Sequence, residues 1–61
     1  MKGILITRND RAIADCTQAV TLNPNDGGAY YVRAKSYEKK GETTKAQADF
    51  AQAEKLGYEV P

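Results

Sequence analysis

The chain has 61 residues and 41% of them are hydrophobic, but nine of those are alanines and four are tyrosines, which leaves too few large apolar side chains for a thick core. Because it has no histidine and a single cysteine, the chain cannot form a structural zinc site, a histidine general base or an intrachain disulfide. Its net charge of +1 is far from the basic balance that nucleic-acid binding usually requires.

The N-terminal segment, residues 1–8, receives no secondary-structure assignment. Its apolar run at residues 4–6 is too short for a signal-peptide core or a membrane span. We therefore expect a cytoplasmic chain that does not enter a membrane. The single cysteine also fits a reducing compartment.

The first predicted helix covers residues 9–22. Its apolar residues recur at spacings of three and four, which is the helical period: Ala12, Ile13, Cys16, Ala19 and Val20. Pro24 predicts the end of this helix, since the residue before a proline is pushed away from helical angles. Asp26 is a suitable N-cap for the helix that follows.

Two further helices are predicted at residues 27–40 and 43–56. Tyr30, Ala34 and Tyr37 share one face of the second helix, and Ala46, Phe50 and Ala53 share one face of the third. Gly41 and Gly57 provide the stop signals. Residues 58–61 form a tail without assignment. With no alternating strand pattern, the sequence predicts one all-α module over residues 9–57.

The first and third helices repeat each other at an offset of 34 residues. Six identical pairs carry this repeat: Ala12 and Ala46, Ala14 and Ala48, Asp15 and Asp49, Gln18 and Gln52, Ala19 and Ala53, and Leu22 and Leu56. A fixed period of this size is typical of helical repeat arrays.

These residues resemble the tetratricopeptide repeat, whose unit is two antiparallel helices in 34 residues. The resemblance covers residues 9–57 and rests on Tyr30, Ala34 and Tyr37, then Ala46, Phe50 and Ala53, with Pro24 closing the preceding half-unit. It implies three antiparallel helices, or about one and a half repeats of an α-solenoid. The departures are Arg33 for Leu, Ala34 for Gly, Cys16 for an aromatic residue, Thr43 for Tyr, and Tyr58 for the closing Pro.

The resemblance also implies that the two ends of the module differ. Gln47 and Glu54 give the third helix a polar outer face, as a terminal helix needs. At the other end, a face formed by Ala12, Cys16 and Ala19 lacks the helix that would precede it. Three explanations compete: the N-terminal segment folds back, the chain is a fragment of a longer array, or two chains cover each other. We favour the third, a homo-oligomer and most simply a dimer.

Repeat arrays of this family bind peptides or partner helices in a groove lined by the first helix of each unit. By that resemblance, the groove residues here are Gly28, Tyr31, Val32, Lys35, Glu38 and Lys39. Tyr31, Lys35 and Lys39 form a stripe that could hold an acidic or C-terminal peptide segment. The alternative is a solvated helix face with no ligand. The family's carboxylate clamp is not expected, because Gly28 and Val32 replace two of its polar residues.

No catalytic pair, phosphate-binding loop, metal site or cofactor site is predicted, so we expect a protein-interaction module and not an enzyme. Asp15 and Asp49 occupy equivalent places and are interpreted as acids on the helix surface. Two alternative functions stay open. One is an assembly-only module without a ligand of its own. The other is weak nucleic-acid binding through five cations, Arg33, Lys35, Lys39, Lys40 and Lys45, although acidic residues interrupt this cluster.

Overall fold

A computed structural model describes residues 8–59 of the chain. These residues form three helices, α1 (Arg8–Leu22), α2 (Gly27–Lys39) and α3 (Thr43–Lys55), joined by short turns. The all-α fold expected from the sequence is confirmed. Helix α1 begins one residue earlier than expected, and α2 and α3 each end one residue earlier.

Helix α2 is the central element of the described chain. It packs against both α1 and α3, whereas α1 and α3 make no direct backbone contact with each other. The positions of the outer helices relative to each other therefore depend on what α2 presents on its two sides.

Local hydrogen bonds fix where α2 begins. The Asp26 carboxylate accepts a hydrogen bond from the backbone N–H of Ala29 at 3.1 Å, so Asp26 is the N-cap predicted from the sequence. Immediately before it, the Asn23 side chain accepts a hydrogen bond from the N–H of Asn25 at 3.2 Å. These two bonds organise the turn that reverses the chain between α1 and α2.

The helices α2 and α3 end in the same way. Gly41 and Gly57 adopt left-handed backbone angles, with φ of 84° and 88°. The next residue in each case donates its N–H back into the helix, from Glu42 to the Tyr37 carbonyl at 2.9 Å and from Tyr58 to the Ala53 carbonyl at 3.0 Å. This closure reverses the chain sharply and, after α3, turns Tyr58 back towards α2.

The core is built from small side chains. Ala34, Ala46 and Ala53 are almost completely buried, and Val20 is the one larger apolar residue in the buried class among those described. No large side chain in residues 8–59 is fully buried. The helices can therefore approach closely, but they bury little apolar area, as the composition indicates.

Tyr58 lies over the first turn of α2. A Cβ atom on Gly27 would lie only 2.9 Å from the Tyr58 Cβ, while one on Gly28 would lie 3.6 Å from the Tyr58 Cε1. The first distance is too short for real carbon atoms, and the second is an ordinary contact. Gly27 is therefore required by close packing, whereas Gly28 is not.

We predict that Gly27→Ala lowers the free energy of unfolding by about 1–3 kcal/mol, because the new methyl group overpacks the contact with Tyr58. Gly28→Ala is the matched control, and it should be neutral or stabilising by up to about 1 kcal/mol through helix propensity. Urea denaturation followed by circular dichroism measures both values. Equal effects of the two substitutions would contradict this packing.

Candidate interaction surfaces

The Arg33 side chain lies at the centre of the three helices. Its Nε and Nη2 atoms donate hydrogen bonds to the two carboxylate oxygens of Asp49 on α3, at 2.7 and 2.9 Å. Its Nη1 atom donates to the Thr17 hydroxyl on α1 at 3.1 Å. One guanidinium on α2 thus bonds to both outer helices, and the hydrogen bond to Asp49 raises the pKa of Arg33 above its usual value.

The interpretation of Asp49 as a surface acid was wrong. Asp49 retains only 7% of its accessible surface, and the side chains of the pair are 16% exposed for Arg33 and 9% for Asp49. Closing the helices over an arginine removes water from its guanidinium, so a carboxylate must meet it there. Asp15, the equivalent acid on α1, is exposed as expected.

Two tyrosines of α2 flank this ion pair. The Arg33 guanidinium carbon lies 5.5 Å from the Tyr30 ring centre and 6.0 Å from the Tyr37 ring centre. Both distances are within the range of cation–π attraction. The face of α2 that carries Tyr30, Ala34 and Tyr37, recognised from the sequence, is therefore organised around a charge.

The predicted groove on α2 is divided into two parts. Gly28 and Tyr31 lie beneath or beside Tyr58, and the Tyr31 ring centre is 5.2 Å from that of Tyr58 and 5.6 Å from that of Phe50. The remaining groove residues, Val32, Lys35, Glu38 and Lys39, are exposed. The stripe expected from Tyr31 to Lys39 thus begins with a ring that already has aromatic partners.

We call the exposed part of the groove, Val32, Lys35, Glu38 and Lys39, the open groove. Val32 is 46% exposed, a high value for an apolar residue. Lys35 Nζ lies 3.8 Å from Glu38 Oε1, a long contact between two side chains that are each about half exposed. Within residues 8–59, Lys39 has no ion pair. The open groove therefore combines an apolar contact point with two cations.

The face predicted for self-association lies on α1. Ala12, Cys16 and Ala19 are half-buried in the single chain. Burial is the main cause that raises the pKa of the Cys16 thiol, which favours its protonated form. At the end of the same helix, Leu22 is 79% exposed. Self-association through this face stays a prediction.

Comparison with known families assigns the fold. The tetratricopeptide repeat family model matches residues 16–48, more than half of the chain. The chain belongs to the tetratricopeptide repeat family. The resemblance stated from Tyr30, Ala34, Ala46, Phe50 and Ala53 is thereby confirmed.

Two curated relatives also match this repeat segment. The chain is 39% identical over 54 residues to a 58 kDa phosphoprotein of Plasmodium berghei. The matched segment covers 88% of this chain and 13% of that relative. It is 41% identical over 54 residues to a DnaJ homolog subfamily C member 7 homolog of Dictyostelium discoideum. This match covers 88% of the chain and 10% of that relative. The chain thus spans about a tenth to an eighth of these relatives. No solved structure gives a significant match.

Tetratricopeptide repeats are protein-interaction modules and typically serve as non-catalytic scaffolds, so the family assignment supports protein partners. In the described part of this repeat segment, no cluster of three or more cysteine and acidic side chains is placed to hold a metal ion. None of the helices described here has the length and hydropathy needed to cross a membrane.

Several cations of this repeat segment are matched by nearby acids. Lys40 Nζ lies 2.6 Å from Asp10 Oδ1 and 3.5 Å from Glu42 Oε2, and Lys45 Nζ lies 3.1 Å from Glu42 Oε1. These hydrogen bonds raise the pKa of Lys40 and lower the pKa of Glu42. Together with the inward position of Arg33, they break up the cation cluster considered for nucleic-acid binding.

Sequence reasoning missed the roles of Asp49 and Tyr58 in this repeat. The available signals were the charged Arg33 at a position where the family has Leu, and Tyr58 where the family has Pro. Each departure changes what a neighbouring helix must provide. Arg33 requires a counter-charge, which α3 provides as Asp49. Tyr58 requires a residue without a side chain beneath it, which α2 provides as Gly27.

Proposed function

We propose that this tetratricopeptide repeat segment binds an acidic peptide segment at the open groove. The observation that carries the proposal is the exposed Val32 beside two lysines. Lys35 has only a long contact with Glu38, and Lys39 has no ion pair within residues 8–59. A peptide with carboxylates and one apolar side chain is complementary to this surface.

The contact between Lys35 and Glu38 is compatible with such a ligand. At 3.8 Å and half exposed, this pair contributes little, so exchanging Glu38 for a ligand carboxylate costs little. Lys39 lies one turn further along α2 and offers a second cation to the same peptide. Charge-assisted hydrogen bonds then supply orientation, while Val32 supplies apolar contact.

The size of the site indicates a weak complex. One exposed valine and two lysines on a single helix form much less than a standard protein interface. We therefore expect micromolar or weaker binding by this segment alone, with strong dependence on ionic strength. The alternative of an assembly-only module without its own ligand predicts no binding to acidic peptides at any salt concentration.

Charge reversal tests the open groove. The double variant Lys35→Glu/Lys39→Glu should weaken binding of a fluorescein-labelled peptide that combines glutamates with one leucine by roughly tenfold or more. Fluorescence anisotropy at low and moderate salt measures the affinity. Lys55→Glu is the matched control, since Lys55 is an exposed lysine on α3. Equal binding by the double variant and the wild-type chain would reject the open groove as the site.

We also propose self-association through the open face of α1. It is supported by Leu22, whose 79% exposure is unusual for a large apolar side chain, and by the incomplete burial of Ala12, Cys16 and Ala19. A core built largely from alanine gives the chain a further reason to bury apolar area against a second copy.

Sedimentation equilibrium from low to high micromolar concentration tests this second proposal. We expect the average mass to rise from that of the monomer towards that of the dimer, because association follows mass action. Reducing agent should not change the result, as burial and not a disulfide drives association. A fully helical chain that remains monomeric across this range would rule out self-association.

A further inference from the structure

The most buried face of the described chain is the one that α3 presents to α2. It consists of Ala46, Asp49 and Ala53, which retain 1%, 7% and 0% of their accessible surface. The alanines permit close approach of α2, and the Asp49 carboxylate receives two hydrogen bonds from Arg33. This face is therefore specific for a helix that carries an arginine.

Helix α1 contains the same face at the same spacing. Ala12, Asp15 and Ala19 repeat Ala46, Asp49 and Ala53 at the offset of 34 residues. Here Ala12 and Ala19 are half-buried and Asp15 is exposed, and no ion pair to Asp15 occurs within residues 8–59. Within residues 8–59, the copy of this face on α3 is bonded to an arginine and the copy on α1 is not.

The arrangement on α3 indicates what an occupant of the second copy must offer. It must lie close against alanine, and it must bring a guanidinium to the carboxylate of Asp15. A carboxylate that loses water at an interface without a counter-charge is strongly destabilising, so a purely apolar helix does not fit. The face therefore selects an arginine-bearing helix.

In a second copy of the chain, only α1 can supply that arginine from the described residues. The arginine of α2, Arg33, is already bonded to Asp49, and α3 contains none. Helix α1 carries Arg8 and Arg11, both exposed and without an ion pair inside the described part of the chain. Both precede Asp15 along the helix.

We infer that two chains associate through antiparallel α1 helices, with Asp15 of each bonded to Arg8 or Arg11 of the other. A two-fold axis between Arg11 and Asp15 makes the contact reciprocal, so one interface contains two equivalent sets of ion pairs. Side-by-side parallel packing would instead place like charges together. This inference rests on the self-association proposed above and identifies the contacts around Ala12 and Asp15, whereas Leu22 lies beyond the overlap of the two α1 helices.

Sedimentation equilibrium of charge variants tests the inferred pairing. Asp15→Arg alone and Arg8→Glu/Arg11→Glu alone should each raise the dimer dissociation constant by roughly tenfold or more. An equimolar mixture of the two variants should recover the dimer, because the exchanged charges are again opposite. All three positions are exposed, so both variants should keep the helical circular dichroism of the wild type. Glu54→Arg, a charge reversal on exposed α3 surface, is the matched control.

The outcomes separate this inference from the broader proposal. A monomeric wild-type chain would overturn both. A wild-type dimer that Asp15→Arg leaves intact would overturn the ion pairing while self-association stands. Two dissociated variants that fail to associate when mixed would also overturn the pairing.

Discussion

The ion pair between Arg33 and Asp49 is the constraint on which the rest of this fold depends. Helices α1 and α3 make no direct backbone contact, and the arginine of α2 bonds to Asp49 on one side and to Thr17 on the other. An alanine core contributes little apolar burial, so the cost of an unpaired guanidinium there would be a large fraction of the total stability. The helices must therefore pack so that both hydrogen bonds to the carboxylate form.

The same constraint explains why the two ends of the molecule differ. On α3, the face with two alanines and an aspartate is complete, because α2 provides an arginine. On α1, the equivalent face has its aspartate exposed, and the proposed interactions of this end follow from that difference. The open groove lies on the side of α2 away from the ion pair, so a peptide there would not disturb Arg33. The proposed peptide binding and the proposed self-association would accordingly use separate surfaces of one small module.

The helices, the all-α fold and the family could be predicted from the sequence, because the period of Ala12, Cys16 and Ala19 and the glycine stops are local signals. The partner of Arg33 could not, since a charge on one helix does not reveal which residue of another helix it meets. The repeat even favoured the wrong interpretation, as Asp15 and Asp49 look equivalent until α2 covers one of them. The contacts of Tyr58 with α2 could not be predicted for the same reason, since Tyr58 and the first turn of α2 are distant in sequence.

A double-mutant cycle on Arg33 and Asp49 tests this account most directly. Arg33→Leu and Asp49→Leu should each lower the free energy of unfolding by about 2 kcal/mol or more, since each leaves a buried charge without its partner. The double variant should lose no more stability than either single variant, giving a coupling of about 2 kcal/mol or more, while a cycle on the exposed pair Lys35 and Glu38 should give almost none. Urea denaturation provides all of these values. Additive effects at Arg33 and Asp49 would contradict the claim that this ion pair stabilises the packing of α3 on α2.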